Sequence, residues 1–333
     1  MAPILEVNHL TTCFHGKSGI VPALEGVSFD VEPGRTLGIV GESGCGKSVT
    51  ALSILKLLPS RTAKVEPESS IRLDGQELTS MSPAQMCQVR GREISMIFQD
   101  PMTSLNPVMT IGKQMAEAFL AHESMSRKEA WEKSVEMLKK VGIPAPEKRA
   151  KEYPHQLSGG MKQRVMIAMA LSGRPKVLIA DEPTTALDVT IQAQILELME
   201  DLKQEMNTAI LLITHDMGVV AEMADEVMVM YAGQVMERAD AKTLFKNPLH
   251  PYTRGLLASI PRLDQEVERL HTIRGSVPNL NEMPAGCRFS TRCPDVKDCC
   301  RKCRPETYDV DHHLVRCFQY AKKEGQEWKE HHC

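Results

Sequence analysis

The chain has 333 residues, of which 42% are hydrophobic and 25% are charged, and its formal net charge is −3. This size and composition predict one or two globular domains, and the mixed charges create no global field that would favour nucleic acid. No apolar run approaches the roughly 20 residues of a membrane-spanning helix, and the first residues lack the pattern of a signal peptide. We therefore expect a cytoplasmic protein whose role at a membrane, should it have one, depends on partners.

Strand-like segments occupy the first hundred residues. Alternating apolar residues at Ile4–Leu10 predict a first strand, and the apolar run Leu37–Val40 predicts another directly before a glycine-rich stretch. Ile71–Leu73 and Ile94–Phe98 also have strand character. From about residue 108 to 172 the periodicity becomes helical, which predicts a helical insertion near residues 105–170.

The glycine-rich stretch reads GESGCGKS and is followed by helical periodicity at Val49–Leu58. Backbone N–H groups of such a loop can wrap phosphate oxygens at a helix N-terminus. Lys47 would reach the β- and γ-phosphates, and the hydroxyl of Ser48 would ligate Mg²⁺. The alternative, a chance glycine-rich turn, is disfavoured by the strand before it and the helix after it. The predicted nucleotide-binding residues are Gly41, Glu42, Ser43, Gly44, Cys45, Gly46, Lys47, Ser48 and Val49.

A second candidate anion site lies at the start of a predicted helix, where the sequence reads LSGGM. Ser158 supplies a hydroxyl, and Gly159 and Gly160 leave their backbone N–H groups accessible. One nucleotide has little use for two such sites in one subunit. We therefore expect a dimer in which this site of one subunit covers the γ-phosphate bound by the other.

Two apolar runs, Val177–Ala180 and Ala209–Thr214, are typical of buried parallel strands. The first ends in two carboxylates, of which Asp181 would lie near Mg²⁺ and Glu182 would face the γ-phosphate and its attacking water. The alternative is a strand that simply ends in acidic residues. Strands alternating with helices around a phosphate loop predict an α/β fold with a mostly parallel sheet.

Seven of the ten cysteines follow residue 286, in a proline-rich region that begins near residue 246. We expect residues 246–333 to form a second, smaller module after a main domain at 1–245. A cytosolic chain seldom carries structural disulfides, so this thiol cluster indicates a metal site. Cys300 and Cys303 form a CxxC pair with His312 and His313 nearby, which leaves zinc open, as it leaves unliganded thiols open.

Six ordered motifs resemble the nucleotide-binding domain of ABC ATPases over about residues 4–240: GESGCGKS, Gln99, LSGGM, VLIADE, Thr185–Asp188 and His215. The resemblance implies a P-loop ABC ATPase fold with a mostly parallel sheet core, an antiparallel β subdomain and a helical subdomain at about 105–170. One departure is Met161, the last residue of LSGGM, where the signature motif of the family usually has Gln. The residues expected to contact phosphate are retained.

The resemblance also implies roles for individual residues. Gln99 would link Mg²⁺ to the transport-coupling subdomain, and Ser158, Gly159 and Gly160 would contact the γ-phosphate in trans. Glu182 would be the general base, His215 the switch residue that holds the γ-phosphate and water, and Asp188 a contact across the dimer. Phe14 is at about the distance of the ring that stacks on adenine, although it could equally be a core aromatic.

Two further stretches resemble the peptide and nickel importers within this family. They are the coupling-loop sequence Phe98–Pro107 and the extension Asn247–Arg254 with Ile260–Pro261. The D-type ATPase subunits of dipeptide and oligopeptide permeases are the most similar group. This implies ATP hydrolysis with Mg²⁺ at the cytoplasmic face of the membrane, peripherally bound to two permease subunits. A paralogous ATPase would complete a heterodimer, and an external binding protein would deliver the substrate.

The cysteine-rich segment resembles the part of these ATPases that holds a [4Fe–4S] cluster. The implied ligands are Cys287, Cys293, Cys300 and Cys317, since thiolate is the soft ligand that iron–sulfur centres prefer. Three alternative functions stay open at this point. They are a nickel or other small-solute importer, an ABC ATPase that moves no solute, and a protein whose iron–sulfur tail serves electron transfer or sensing.

Overall fold

In a computed structural model of the chain, the described residues are 2–16, 19–100, 104–185, 187–260 and 272–321. They divide into two compact units. The first unit takes its residues from 1–6, 30–36 and 72–213, and the second from 7–29, 37–71 and 214–333. Pro101–Thr103 of the predicted coupling loop, Ala186 and Pro261 lie outside the described residues.

The strands, in chain order, are β1 (Leu5–Gly16), β2 (Gly19–Val31), β3 (Thr36–Val40), β4 (Ala63–Val65), β5 (Ser70–Leu73), β6 (Gln76–Glu77), β7 (Ile94–Ile97), β8 (Val177–Asp181), β9 (Ala209–Ile213), β10 (Glu226–Tyr231), β11 (Gln234–Asp240), β12 (Tyr308–Val310) and β13 (His313–Val315).

The helices, in chain order, are α1 (Lys47–Ile54), α2 (Pro83–Val89), α3 (Ile111–Leu120), α4 (Arg127–Lys140), α5 (Pro146–Arg149), α6 (Gly159–Leu171), α7 (Val189–Met206), α8 (Met217–Met223), α9 (Ala241–Lys246), α10 (Pro251–Ala258) and α11 (Asp298–Lys302). Within the described ranges, none of them is both long enough and apolar enough to cross a membrane.

The first unit contains three parallel strands, with β8 between β7 and β9. All five residues of β8 and all five of β9 are buried, which is why Val177–Ala180 and the whole of β9 are continuous apolar runs. Asp181, the last residue of β8, pairs in register with Ile213, the last residue of β9. The two carboxylates that follow this apolar run therefore lie at the carboxyl edge of the parallel strands.

The helical insertion predicted from the sequence is present in the first unit as α3, α4, α5 and α6. Its clearest local signal is the start of α4, where Ser126 Oγ accepts a hydrogen bond from the Glu129 N–H at 3.2 Å. The Glu129 carboxylate accepts in return from the Ser126 N–H at 2.7 Å. This reciprocal capping box satisfies two N–H groups that the helix itself leaves without partners.

The second unit contains a sheet in the order β12-β13-β11-β10-β3. β3 and β10 are parallel, and β10 and β11 form an antiparallel hairpin. β13 then pairs antiparallel with β11, and β12 with β13. The sequence did not predict β12 and β13, because each has only three residues and is too short to show an alternation of apolar and polar residues.

The remaining strands of the second unit lie near its N-terminus. β2 neighbours β1, and β1 pairs antiparallel with β4 from Thr12 to Phe14. The hydrophobic core of this unit also includes the aromatic residues Tyr231, Tyr252 and Phe289. Their ring centroids are 4.8–5.3 Å apart, in edge-on and tilted arrangements. The C-terminal segment that carries Phe289 is thus packed into the same core as β10.

Candidate functional site

The phosphate loop joins β3 to α1 in the second unit. Gly44 has φ +77°, a left-handed backbone conformation in which a residue with a side chain would be strained. A Cβ on Gly41 would lie 2.2 Å from the carbonyl oxygen of Met230, so this position admits only glycine. Gly46 precedes α1 without a capping side chain, and the first N–H groups of the helix are left for an external acceptor.

Lys47 is 6% exposed, and its ammonium group is held over the loop. Nζ donates to the carbonyl of Gly41 at 2.7 Å and to the carbonyl of Glu42 at 3.1 Å. Ser48 and Val49 follow in the first turn of α1, where both are half-buried. Burial raises the pKa of the Cys45 thiol, so this cysteine is a neutral core residue of the loop.

His215 and Phe14 also belong to the second unit. The N–H of Thr214 donates to the carbonyl of Ile39 in β3 at 3.2 Å, and the exposed His215 follows directly. Phe14 is half-buried in β1, opposite Ala63 of β4. Its proposed stacking on adenine stays a prediction.

In the first unit, Gln99 and Glu182 lie within hydrogen-bonding distance of each other. Oε2 of Glu182 accepts from Gln99 Nε2 at 2.9 Å and from Thr185 Oγ1 at 2.9 Å. Glu182 has φ +49°, and its N–H donates to the carbonyl of Ile213 at 2.7 Å. This unusual backbone conformation turns the chain immediately after Asp181, which is 4% exposed. Two carboxylates in sequence therefore occupy different environments, one buried and one half-exposed.

The serine-glycine motif begins α6, also in the first unit. Ser158 is the N-cap, and its Oγ accepts from the N–H of Met161 at 3.4 Å. Ser158 and Gly159 are exposed, and a Cβ on Gly159 would meet nothing within 4 Å. Met161 contributes only its main-chain N–H to this cap, and that contribution does not depend on the side chain at this position. The N-terminus of α6 is thus exposed at Ser158 and Gly159, whereas Gly160 lies against Ile191.

Asp188 is the N-cap of α7. Its Oδ1 accepts from the N–H of Ile191 at 3.0 Å. The side-chain amide of Gln163, on α6, donates to the carbonyl of Pro183, one residue after the candidate base. This hydrogen bond joins α6, the signature helix that begins at the serine-glycine motif, to the loop that follows Glu182.

Sequence reasoning missed two residues that hold the phosphate loop. The hydroxyl of Tyr252 accepts from the N–H of Glu42 at 2.9 Å, and Arg292 pairs with the Glu42 carboxylate. These partners are 210 and 250 residues away along the chain. No local pattern could have indicated them.

The four cysteines named as cluster ligands line one small cavity of about 20 Å³ in the second unit. Gly286 permits this arrangement, because a Cβ there would lie 2.3 Å from the carbonyl of Cys300. The N–H of Cys287 donates to that carbonyl at 2.8 Å. Burial raises the pKa of Cys287 to about 12 and that of Cys293 to about 11, and the neighbouring thiols add to the shift.

Within the described residues, no group of three or more His, Cys, Asp and Glu side chains is arranged to hold a single metal ion. The lining of the cavity includes Cys287, Cys293, Cys300 and Cys317. Over the same described ranges, Cys299 and Cys303 do not contribute to that lining.

Two family models match the chain. The model described as ABC transporter matches residues 24–185, and the model described as Oligopeptide/dipeptide transporter, C-terminal region, matches residues 236–300. The first match contains the phosphate loop and the signature helix. The second contains Tyr252, Arg292 and three of the four cavity cysteines.

Several characterised proteins are similar over nearly their whole length. The oligopeptide transport ATP-binding protein AppD of Bacillus subtilis is 55% identical, over 98% of this chain and 99% of its own. The dipeptide transport ATP-binding protein DppD of the same organism is 51% identical over 96% and 95%. The oligopeptide transport ATP-binding protein OppD of Haemophilus influenzae is 50% identical over 97% and 99%.

The fold is similar to solved ATP-binding cassettes. The dimeric cassette MJ0796, bound to ADP and Pi after hydrolysis, has a TM-score of 0.64 and 26% identity, covering 71% of this chain and 98% of its own. The identities to AppD, DppD and OppD extend over almost the entire chain and include both matched regions. The chain therefore belongs to the ATP-binding proteins of the ABC transporter family, in the oligopeptide and dipeptide branch.

Proposed function

We propose that this chain is the ATP-hydrolysing subunit of an importer that carries dipeptides or oligopeptides through membrane permease subunits. The observation that carries the proposal is the phosphate loop. There the buried Lys47 and the uncapped N-terminus of α1 are positioned to bind an anion. The near-complete match to peptide-transport ATP-binding proteins supports the substrate class.

The loop residues Gly41–Ser48 would bind the triphosphate, with Lys47 neutralising its β- and γ-phosphates. Ser48, Gln99 and Asp181 would hold Mg²⁺, which suits their oxygen-rich side chains. When bound, Mg²⁺ neutralises charge that develops on the phosphate oxygens. Glu182 would accept the proton of the attacking water, and its two hydrogen-bond donors orient the carboxylate for that task.

The exposed N-terminus of α6 supports an ATPase that works as a dimer. Ser158, Gly159 and Gly160 would cover the γ-phosphate bound by a paralogous ATPase, and Asp188 would communicate across the pair. His215 would hold the γ-phosphate until hydrolysis. Closure and reopening of the pair would be transmitted to two permease subunits at the cytoplasmic face of the membrane, with an external binding protein delivering the peptide.

The test uses the chain reconstituted with its permease subunits in lipid vesicles. ATP hydrolysis should rise when a peptide-loaded binding protein is added. Lys47→Ala should weaken ATP binding roughly 10- to 100-fold, because it removes a charged hydrogen-bond donor to phosphate. Lys242→Ala, a change of an exposed lysine in the same unit, is the matched control and should bind ATP normally. Hydrolysis that responds to a nickel-loaded binding protein and ignores peptide would contradict the substrate class.

We further propose that Cys287, Cys293, Cys300 and Cys317 hold a [4Fe–4S] cluster. Four thiols line one cavity, and thiolate is the soft ligand that iron–sulfur centres prefer. When bound, the cluster supplies positive iron that stabilises the four thiolates and cross-links a segment with little core of its own.

Chemical analysis of anaerobically purified protein tests this site. The wild-type chain should contain iron and acid-labile sulfide in equal amounts, and Cys300→Ser should lose both and unfold at a lower temperature. Cys87→Ser alters an exposed cysteine on α2 and should keep them. A wild-type protein that contains zinc and no sulfide would show that the cluster assignment is wrong.

A further inference from the structure

Glu42, the second residue of the phosphate loop, is bound by C-terminal residues at both its main chain and its side chain. Its N–H donates to Tyr252 Oη at 2.9 Å. Its two carboxylate oxygens accept from the terminal nitrogens of Arg292 at 2.5 and 2.9 Å. A two-point pairing of this kind fixes the relative orientation of the two groups as well as their distance.

Arg292 is itself held in place. Its side chain is 3% exposed, and Nε donates to the carbonyl of Arg274 at 2.9 Å. Nη2 also approaches the carbonyl of Ile273 at 3.4 Å, and the guanidinium carbon lies 5.7 Å from the ring centroid of Tyr231. A guanidinium buried to this extent needs a negative partner, because an uncompensated buried charge is costly. Glu42 is that partner.

The third polar group of Glu42 is its carbonyl, which points into the loop. It accepts from Lys47 Nζ at 3.1 Å and from the N–H of Cys45 at 3.3 Å. All the hydrogen-bonding groups of Glu42 therefore have fixed partners. A continuous chain of contacts runs from Arg292 through Glu42 to the lysine that is expected to bind phosphate.

We propose that Arg292 is a positioning residue of the nucleotide site. It holds Glu42, and through Glu42 the phosphate loop, in the conformation that accepts a triphosphate. It also neutralises a carboxylate in the loop that must bind a polyanion, where an unpaired negative charge would repel the ligand. The proposal rests on the proposed function, since it concerns the affinity for ATP.

The same pairing connects ATP binding to the cysteine cavity. Arg292 directly precedes Cys293, and the N–H groups of both residues donate to the carbonyl of Phe289 at 3.0 and 2.9 Å. Phe289 packs against Tyr231 and Tyr252. A segment that loses its order around the cavity would therefore also release Glu42, and the affinity for ATP would fall.

The experiment measures ATP affinity by calorimetric titration of the full chain in the presence of Mg²⁺. Arg292→Gln should weaken ATP binding roughly tenfold, the lower end of the loss expected for charged hydrogen bonds. In the reconstituted complex, it should raise the KM for ATP and change kcat less than about twofold, because the loop acts in ground-state binding. Arg292→Lys, which keeps the charge, should recover part of the affinity. Arg301→Gln, an exposed arginine of the same segment, should have no effect.

A double-mutant cycle with Glu42→Gln separates positioning from general destabilisation. Arg292→Gln should cost less than about twofold in ATP affinity when Glu42 is already Gln, because the pair no longer exists. An equal cost in both backgrounds would overturn the proposal, as would an unchanged affinity in the single variant. A wild-type chain that fails to bind ATP would instead contradict the proposed function.

Tyr252→Phe provides a second route should Arg292→Gln fail to fold. It removes the oxygen that accepts from the N–H of Glu42 and retains the ring that packs on Phe289. ATP binding should weaken about threefold with the unfolding temperature nearly unchanged. A variant that folds and binds ATP as tightly as the wild type would show that the C-terminal contacts do not position the loop.

Discussion

Replacing Glu182 by Gln should slow ATP hydrolysis by roughly 10²–10⁴-fold while ATP still binds. Gln has nearly the same shape and can accept the hydrogen bonds from Gln99 and Thr185 through its amide oxygen. It cannot accept a proton from water, so the loss isolates the proton transfer. Single-turnover hydrolysis and equilibrium ATP binding, measured on the same preparation, check both parts of the expectation.

Two other variants make this test specific. Glu205→Gln changes an exposed carboxylate that pairs with Lys140 and should hydrolyse ATP at the normal rate. Thr185→Val removes one donor to Glu182 and should have a much smaller effect than the loss of the carboxylate itself. Normal turnover in Glu182→Gln would rule out this residue as the general base.

Glu237→Ala should lower the free energy of unfolding by roughly 3–5 kcal/mol, since each buried hydrogen-bond donor left without a partner costs about 1–3 kcal/mol. Glu237 lies in β11 and is fully buried. Its carboxylate accepts from His313 at 2.6 Å, from the N–H of Leu249 at 2.7 Å and from the N–H of His250 at 2.9 Å. The substitution leaves three buried donors without a partner. Denaturant unfolding measures the loss.

The matched control for this prediction is Glu205→Ala, which removes an exposed partner of Lys140 and should cost less than about 1 kcal/mol. Equal losses in the two variants would contradict the importance assigned to the buried network.

The Glu237 network also predicts a dependence on pH. Burial alone would raise the pKa of Glu237, but hydrogen bonds from His313, Leu249 and His250 outweigh it and lower the pKa below the ordinary 4.5. The folded protein therefore keeps this carboxylate ionised at a lower pH than the unfolded chain does. Its stabilisation is complete above pH 4.5 and is lost as the pH falls through the folded-state value. Glu237→Ala should unfold with a weaker pH dependence in that acidic window.

Local patterns predicted the parts of the structure that depend on neighbouring residues. The apolar run before the phosphate loop forms β3, and the glycines of the loop have the positive φ angles that such a turn needs. The hydrogen bonds between Ser126 and Glu129 likewise join residues that are close in the chain. In each case the physical cause lies within a few residues, so the sequence reveals it directly.

Contacts between distant segments could not be predicted in the same way. Glu237 looks like an ordinary polar residue of a strand, and only donors brought by β13 and by the start of α10 explain its burial. Arg292 looks like one more basic residue in a charged tail, yet it pairs with Glu42. The family resemblance indicated Gln99 and Glu182 individually. Their hydrogen bond to each other became visible only in three dimensions.

The pairing of β13 with β11 determines what a shortened chain would do. A polypeptide that stopped before residue 308 would keep every motif proposed to contact nucleotide but would leave the main-chain N–H and C=O groups of β11 uncovered at Glu237 and Arg238. An exposed edge strand can form hydrogen bonds with strands of other molecules, which leads to aggregation. Truncation before residue 308 should therefore give insoluble protein and not an active enzyme that has merely lost its regulation. The C-terminal strands are thus a required part of the fold.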